Sequence, residues 1–158
     1  MISIITKEIN DLPILEICDS EKLGEELPLV FFYHGWTGCK ERVLTQGYEI
    51  AKKGFRVILP DALYHGDRQE GDVKGHVLEF WKIVLNSVKE FPTLVDYYRE
   101  NVGIKDGFVG VSCLSMGGIT TNALMTTYPW INAGVCLMCS PKPVKFEKKL
   151  VADAAPHD

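Results

Sequence analysis

Apolar and polar residues alternate over positions 2–9 and again over 14–18, on either side of the break Asn10-Asp-Leu-Pro13. A period of two on both sides of a turn signal predicts an antiparallel hairpin. The pattern then changes. Pro28-Leu-Val-Phe-Phe-Tyr33 is continuously apolar and closes on His34-Gly-Trp-Thr-Gly38, as expected of a strand buried on both faces. Over 40–53, Val43, Leu44, Gly47, Ile50 and Ala51 recur at helical spacing, and Gly54 supplies a stop. A second short apolar run, 55–59, ends in Pro60-Asp61.

After the polar loop Tyr64-His-Gly-Asp-Arg-Gln-Glu-Gly-Asp72, a stripe at helical period runs from Val77 through Phe80, Val84, Val88, Phe91 and Val95 to Tyr98. Pro92 falls inside it and predicts a kink or a break into two helices. Phe108-Val-Gly-Val-Ser112 reads as a strand, and 116–128 as a helix stopped by Pro129. Ala133-Gly-Val-Cys-Leu-Met-Cys139 reads as a last, buried strand. Strands alternating with helices predict right-handed βαβ crossovers. The fold class is α/β: an N-terminal antiparallel hairpin leading into a mostly parallel sheet with helices on both faces.

Composition narrows the function. The 158 residues carry 46% apolar and 24% charged side chains, which suits one globular domain. A formal net charge of -4 lacks the clustered positive charge of a nucleic-acid binder, so no nucleic-acid partner is expected. No apolar run approaches the ~20 residues that span a bilayer. Met1-Ile-Ser-Ile-Ile-Thr-Lys-Glu8 lacks the basic start and long apolar centre of an export signal; the expectation is a cytoplasmic protein with no membrane partner. Five cysteines, an odd number, argue against a disulfide framework. Cys136 and Cys139 form a C-x-x-C, but on a strand positions i and i+3 face opposite ways, so structural thiols are expected rather than a metal or redox site.

The chemistry concentrates at Val111-Ser-Cys-Leu-Ser-Met-Gly-Gly118, where a strand passes into a helix with almost no loop. A nucleophile elbow needs small residues two before and two after its serine, because the turn is tight and strained. Ser115 has Gly117 on the far side and Cys113 on the near side. The helix N-terminus favours an oxyanion. Two backbone N–H donors are required, one from Met116 and one from the earlier strand-end loop at Trp36, where Gly35 permits close approach.

Three strings together, Phe31-Phe-Tyr-His-Gly-Trp-Thr37, Val57-Ile-Leu-Pro-Asp-Ala-Leu-Tyr-His-Gly-Asp-Arg68 and Leu114-Ser-Met-Gly-Gly118, resemble the small bacterial α/β-hydrolase esterases related to prolyl oligopeptidases, the dienelactone-hydrolase-like group. The resemblance implies carboxylester hydrolysis of a small ester through a Ser115 acyl-enzyme, with no cofactor and no metal. It places His34, Asp61, His65 and Arg68 as residues lining or bracing the site, with Gly35, Cys113 and Gly117 beside them. Cys113 and Cys139 stand where that family has glycine.

In that superfamily the acid and histidine follow the serine on later strand ends. Two further βα units, at ~30 or more residues each, would have to follow Ser140, and 18 residues do. The chain is therefore expected to be C-terminally truncated, with 1–145 forming the N-terminal two-thirds of one domain and 146–158 a flexible tail. After Ser115 the only histidine is His157 and the only acids are Glu147, Asp153 and Asp158, on a tail with no apolar anchor to fix them. The alternative is a catalytically impaired short homologue acting as a binding or assembly module. Self-association through the apolar 133–139 edge is expected in either case.

Overall fold

The structure, a computed structural model, describes residues 1–139. Its frame is a six-stranded sheet of β1 (Ile2–Ile9), β2 (Leu12–Asp19), β3 (Leu27–Tyr33), β4 (Arg56–Pro60), β5 (Ile104–Leu114) and β6 (Ala133–Leu137), in the order β1-β2-β4-β3-β5-β6. β1 pairs β2 and β2 pairs β4 antiparallel, whereas β4, β3, β5 and β6 run parallel. The expected hairpin and mostly parallel sheet are both present. Asn10 and Asp11, with φ of 50° and 62°, make the two-residue hairpin turn whose twist matches its strands.

Crossovers run through α1 (Leu44–Ala51), α2 (Phe80–Asn101) and α3 (Met116–Thr127). α2 and α3 cover one face and α1 the other, so β3 is buried from both sides. Phe31 meets Phe91 of α2 edge-on, ring centroids 4.9 Å apart, while Phe32 packs with Val43 and Ala51 on the α1 side. That accounts for the unbroken apolar run in β3.

Three expectations need correction. The helix expected over 40–53 begins as a 3-10 turn, Lys40–Val43, and becomes α-helical only from Leu44. Pro92 does not divide the long helix, and α2 runs through it as one element. A proline removes the N–H that would reach the carbonyl four residues back, here that of Val88. The Tyr128 hydroxyl donates to that carbonyl at 2.9 Å, so the acceptor is satisfied from outside the helix. β6, expected to be buried, is exposed along most of its length, with Val135 at 55% and Leu137 at 42%. Among the described residues only β5 pairs with it. On the face away from α3, its side chains join Val30, Phe32, Ile50 and Phe108 around an open apolar groove of about 480 Å³. The tail expected over 146–158 lies outside the described residues.

The Pro92 arrangement makes a testable pair. Tyr128→Phe should destabilise the fold by about 1–3 kcal/mol by orphaning the Val88 carbonyl. In a Pro92→Ala background, which returns the helical donor, that loss should shrink by ~0.5 kcal/mol or more. Urea titrations of the four proteins measure the coupling.

Candidate active site

β5 ends at Leu114 and α3 begins at Met116, so Ser115 alone makes the turn. Its φ of 55° and ψ of −112° lie in a region that side-chain-bearing residues seldom occupy. Two backbone hydrogen bonds hold it there. The Ser115 N–H donates to the Leu137 carbonyl at 3.0 Å, and the Ser115 carbonyl accepts from the Gly118 N–H at 2.8 Å. Ser115 is exposed, whereas Met116, Gly117 and Gly118 are buried.

Close approach dictates the glycines. A Cβ at Gly117 would sit 2.4 Å from the Tyr33 carbonyl oxygen of β3, a contact backbone cannot yield. A Cβ at Gly35 would meet the Leu114 carbonyl and the Ser115 Cβ, each at 3.3 Å. The loop after β3 therefore touches the elbow directly. Within it the Gly38 N–H bonds the Gly35 carbonyl at 3.0 Å, closing a turn that carries Trp36. The Trp36 indole stands edge-on to His65 at 5.3 Å and tilted on Phe80 at 5.6 Å, in one apolar cluster with Met116. Met116 opens α3, where the first N–H groups of a helix have no intrahelical acceptor.

Of the four residues expected to line or brace the site, His34 follows the end of β3, and Asp61, His65 and Arg68 lie in the segment that follows β4. His34 is buried; its Nδ1 donates to the Gly35 carbonyl at 2.9 Å and its Nε2 accepts the Ala62 N–H at 3.1 Å. Burial, reinforced by the neighbouring His65, holds its pKa down at about 4. Both nitrogens are spoken for and the ring is neutral. His65 donates from Nδ1 to the Leu63 carbonyl at 2.8 Å, and burial holds its pKa below the usual range as well.

Asp61 accepts the Lys40 backbone N–H at 2.8 Å and the Lys40 ammonium at 2.7 Å, and also the Asp67 N–H at 3.0 Å. Arg68 reaches the Asp61 carbonyl at 3.2 Å and forks onto Glu90 of α2 at 2.9 and 2.7 Å. Lys40 was invisible as a site residue in the sequence, where a lysine at a helix start reads as solvated. It is 1% exposed and also binds Asp67 and Glu41. Burial pushes its ammonium down, but the three carboxylates outweigh it and the net direction is up.

Cys113 is fully buried beside the elbow, its Sγ 3.5 Å from the Val135 carbonyl. It faces Gly118, where a Cβ would lie 3.4 Å from its Sγ. The expectation that Cys136 and Cys139 face opposite ways is overturned. β6 ends at Leu137 and Met138 has φ of 54°, so the chain turns and returns Cys139 to Gly118. A Cβ there would lie 2.1 Å from the Cys139 Cβ. The strand argument needed extended backbone through position 139.

Among the described residues, no histidine or carboxylate hydrogen-bonds the Ser115 hydroxyl, and no cluster of three or more His, Cys, Asp or Glu could hold a metal ion. Glu147, Asp153, His157 and Asp158 lie outside the described residues. No helix among those described is long and apolar enough to cross a membrane.

No family model matches the chain. It is 42% identical over 150 residues to YitV of Bacillus subtilis (strain 168), a protein inferred to be an esterase, covering 92% of this chain and 58% of that one. It is 34% identical over 140 residues to the esterase YjfP of Escherichia coli (strain K12), covering 89% and 56%. In three dimensions it superposes with a TM-score of 0.71 on a crystal structure from Klebsiella pneumoniae assigned as a dienelactone hydrolase, at 15% identity, covering 85% of this chain and 58% of that one. By fold the chain is similar to the α/β-hydrolases. Its sequence relatives are named as esterases, and its fold is that of a partial, dienelactone-hydrolase-like α/β-hydrolase. It spans less than two thirds of the length of the relatives it matches.

Two outcomes test the framework around Ser115. His34 should stay neutral in NMR titrations down to pH about 4. Because the unfolded chain binds a proton near pH 6.5 that the folded ring refuses, unfolding free energy should fall as pH drops from 6.5 toward 4. Gly117→Ala should cost about 1–3 kcal/mol or more through the clash with the Tyr33 carbonyl, read as a lowered denaturation midpoint.

Proposed function

We propose that Ser115 is the nucleophile of a carboxylesterase-type acyl transfer on small esters. The observation that carries this reading is Ser115 itself: one exposed serine, strained, at the start of α3, with Gly117 and Gly35 seating the neighbouring backbone against it. In the reaction the Ser115 oxygen attacks the ester carbonyl and the hydroxyl proton passes to a base. The Trp36 and Met116 N–H groups hold the oxyanion. Collapse expels the alcohol and leaves an acyl-enzyme, which water then hydrolyses. His34, Asp61 and Arg68 serve by holding the Trp36 loop to the ends of β4 and α2, and take no proton in the cycle.

The base is the part the described residues do not supply. His34 has both nitrogens engaged and His65 is buried. That same observation favours a second reading, in which this chain binds in the cleft without turning substrate over. A fluorophosphonate separates the two, since it needs only a competent nucleophile. Ser115 should label slowly and Ser115→Ala not at all; labelling that survives the substitution overturns the elbow assignment. Hydrolysis of p-nitrophenyl acetate should fall short of a complete triad by up to ~10⁶ in kcat, and full turnover would overturn the binding-module reading.

The sheet edge extends the proposal to partners. Among the described residues β6 carries apolar side chains and pairs with β5 alone, and a strand edge of that kind templates pairing with another strand. We infer that a second copy of the chain pairs there, over the groove beside Val135 and Leu137. Sedimentation at high micromolar concentration should show a dimer or larger species, and a clean monomer would refute it.

A further inference from the structure

Three cysteines that the acyl-transfer reading leaves unused meet beside the elbow. All three thiols are free. Cys113 and Cys136 are register partners on β5 and β6. A side-chain carbon at Gly118 would lie 3.1 Å from the Cys139 Sγ and 3.4 Å from the Cys113 Sγ. The Cys136 Sγ lies 3.8 Å from the Gly118 carbonyl oxygen and 3.4 Å from Asn122 Oδ1, near enough to both other thiols for them to raise its pKa. Cys113 is fully buried, whereas Cys136 and Cys139 are half-buried and open to a small reagent. The C-x-x-C is thus drawn together by the turn at Met138. Inside it, Leu137 supplies the carbonyl that holds the Ser115 N–H at 3.0 Å.

We propose that Cys136 and Cys139 form an oxidisable dithiol, closed to a disulfide by low-molecular-weight disulfides such as oxidised glutathione, and that closure lowers the reactivity of Ser115. The Cys139 thiol gives up its proton and its sulfur attacks oxidised glutathione, releasing one glutathione, which takes the proton. The Cys136 sulfur, deprotonated in turn, attacks the Cys139 sulfur of the mixed disulfide and displaces the second glutathione. The protein loses two protons and two electrons, and one oxidised glutathione becomes two reduced ones.

A disulfide requires its Cβ atoms to sit within about 3.5–4.5 Å. Closing the four-residue loop to that spacing would act on the Leu137 carbonyl inside it, the group that holds the Ser115 N–H. Burial and the neighbouring thiols push the Cys136 thiol up to about 12. The thiolate is the attacking species, so exchange should quicken as pH rises. The link to Ser115 rests on the elbow reading; disulfide formation does not.

The test incubates the 158-residue chain with oxidised or reduced glutathione at pH 7 and pH 9, followed by intact mass, peptide mapping and fluorophosphonate labelling. The expected result is a loss of two hydrogens, faster at pH 9, with Cys136 and Cys139 joined in the mapped peptides. Ser115 labelling in the oxidised protein should be about tenfold slower or more, and restored by reductant. Cys136→Ser and Cys139→Ser should each abolish the mass change and the response of labelling to oxidised glutathione. A stable glutathione adduct without the internal bond, or a disulfide through Cys18 or Cys39, overturns the dithiol. Disulfide formation with labelling unchanged overturns its link to the elbow. Absence of labelling in the reduced chain would instead count against the nucleophile assignment, while the mass change stands on its own.

Discussion

The Tyr33 carbonyl governs this structure. From Leu29 onward β3 and β5 run parallel in register, with Tyr33 opposite Cys113, and α3 starts three residues beyond Cys113. The first turn of α3 must therefore pass directly over the end of β3. Only a residue without a Cβ clears the Tyr33 oxygen, and Gly117 is that residue. Once α3 is seated so low, Ser115 has no room for a relaxed loop and adopts a conformation costing on the order of 1–3 kcal/mol. The hydrogen bonds to Leu137 and from Gly118 fix it. Exposure of the hydroxyl follows from the turn, and the Gly35 loop meets it because the loop leaves the neighbouring strand end at the same level.

Two polar networks, buried or half-buried, carry that geometry outward. Near the site, Asp61 joins the backbone at Lys40, the 66–68 turn and the Arg68–Glu90 pair into one connected set, tying β3's loop and β4's end to α2. A Cβ at Gly66 would enter the Asp61 carboxylate, which shows how closely this turn wraps it. At the other edge of the sheet Glu16 of β2 accepts from Arg56 of β4, from Lys7 at 2.5 Å and from the Tyr98 hydroxyl of α2 at 2.8 Å. Arg56 continues to the carbonyls of Leu23 and Glu25, each at 3.0 Å. Removing one member of such a set strands a buried charge, a loss of about 3–5 kcal/mol. These sets lock the relative placement of strand and helix more firmly than apolar contact, which tolerates sliding.

The cysteines illustrate how the same chain segment serves packing and chemistry. Cys113 stands two residues before Ser115, its thiol beside the space that Gly118 leaves. Cys139 fills the rest of that space from the far side. Gly118 thus leaves room for Cys139 beside the elbow, and its N–H bonds the Ser115 carbonyl at 2.8 Å.

The hairpin, the doubly buried β3, the alternation of strand and helix, and the elbow at Ser115 were all legible along the chain. Each is encoded by neighbours in sequence: a period of two, an unbroken apolar run, a serine flanked by small residues where strand meets helix. Those signals are local because side-chain direction repeats with the backbone. The tertiary structure alone decided the rest. Pro92 stays within one helix because a hydroxyl 40 residues away from Val88 takes over its carbonyl. Lys40 is buried because Asp61, 21 residues on, waits at the end of an adjacent strand. His34 is neutral because burial holds its pKa down and both ring nitrogens have fixed partners, and Cys139 comes back toward Cys136 because one residue, Met138, turns the backbone. Hydrogen-bond satisfaction and desolvation depend on which segments meet, and a pattern read along one segment does not contain its partner.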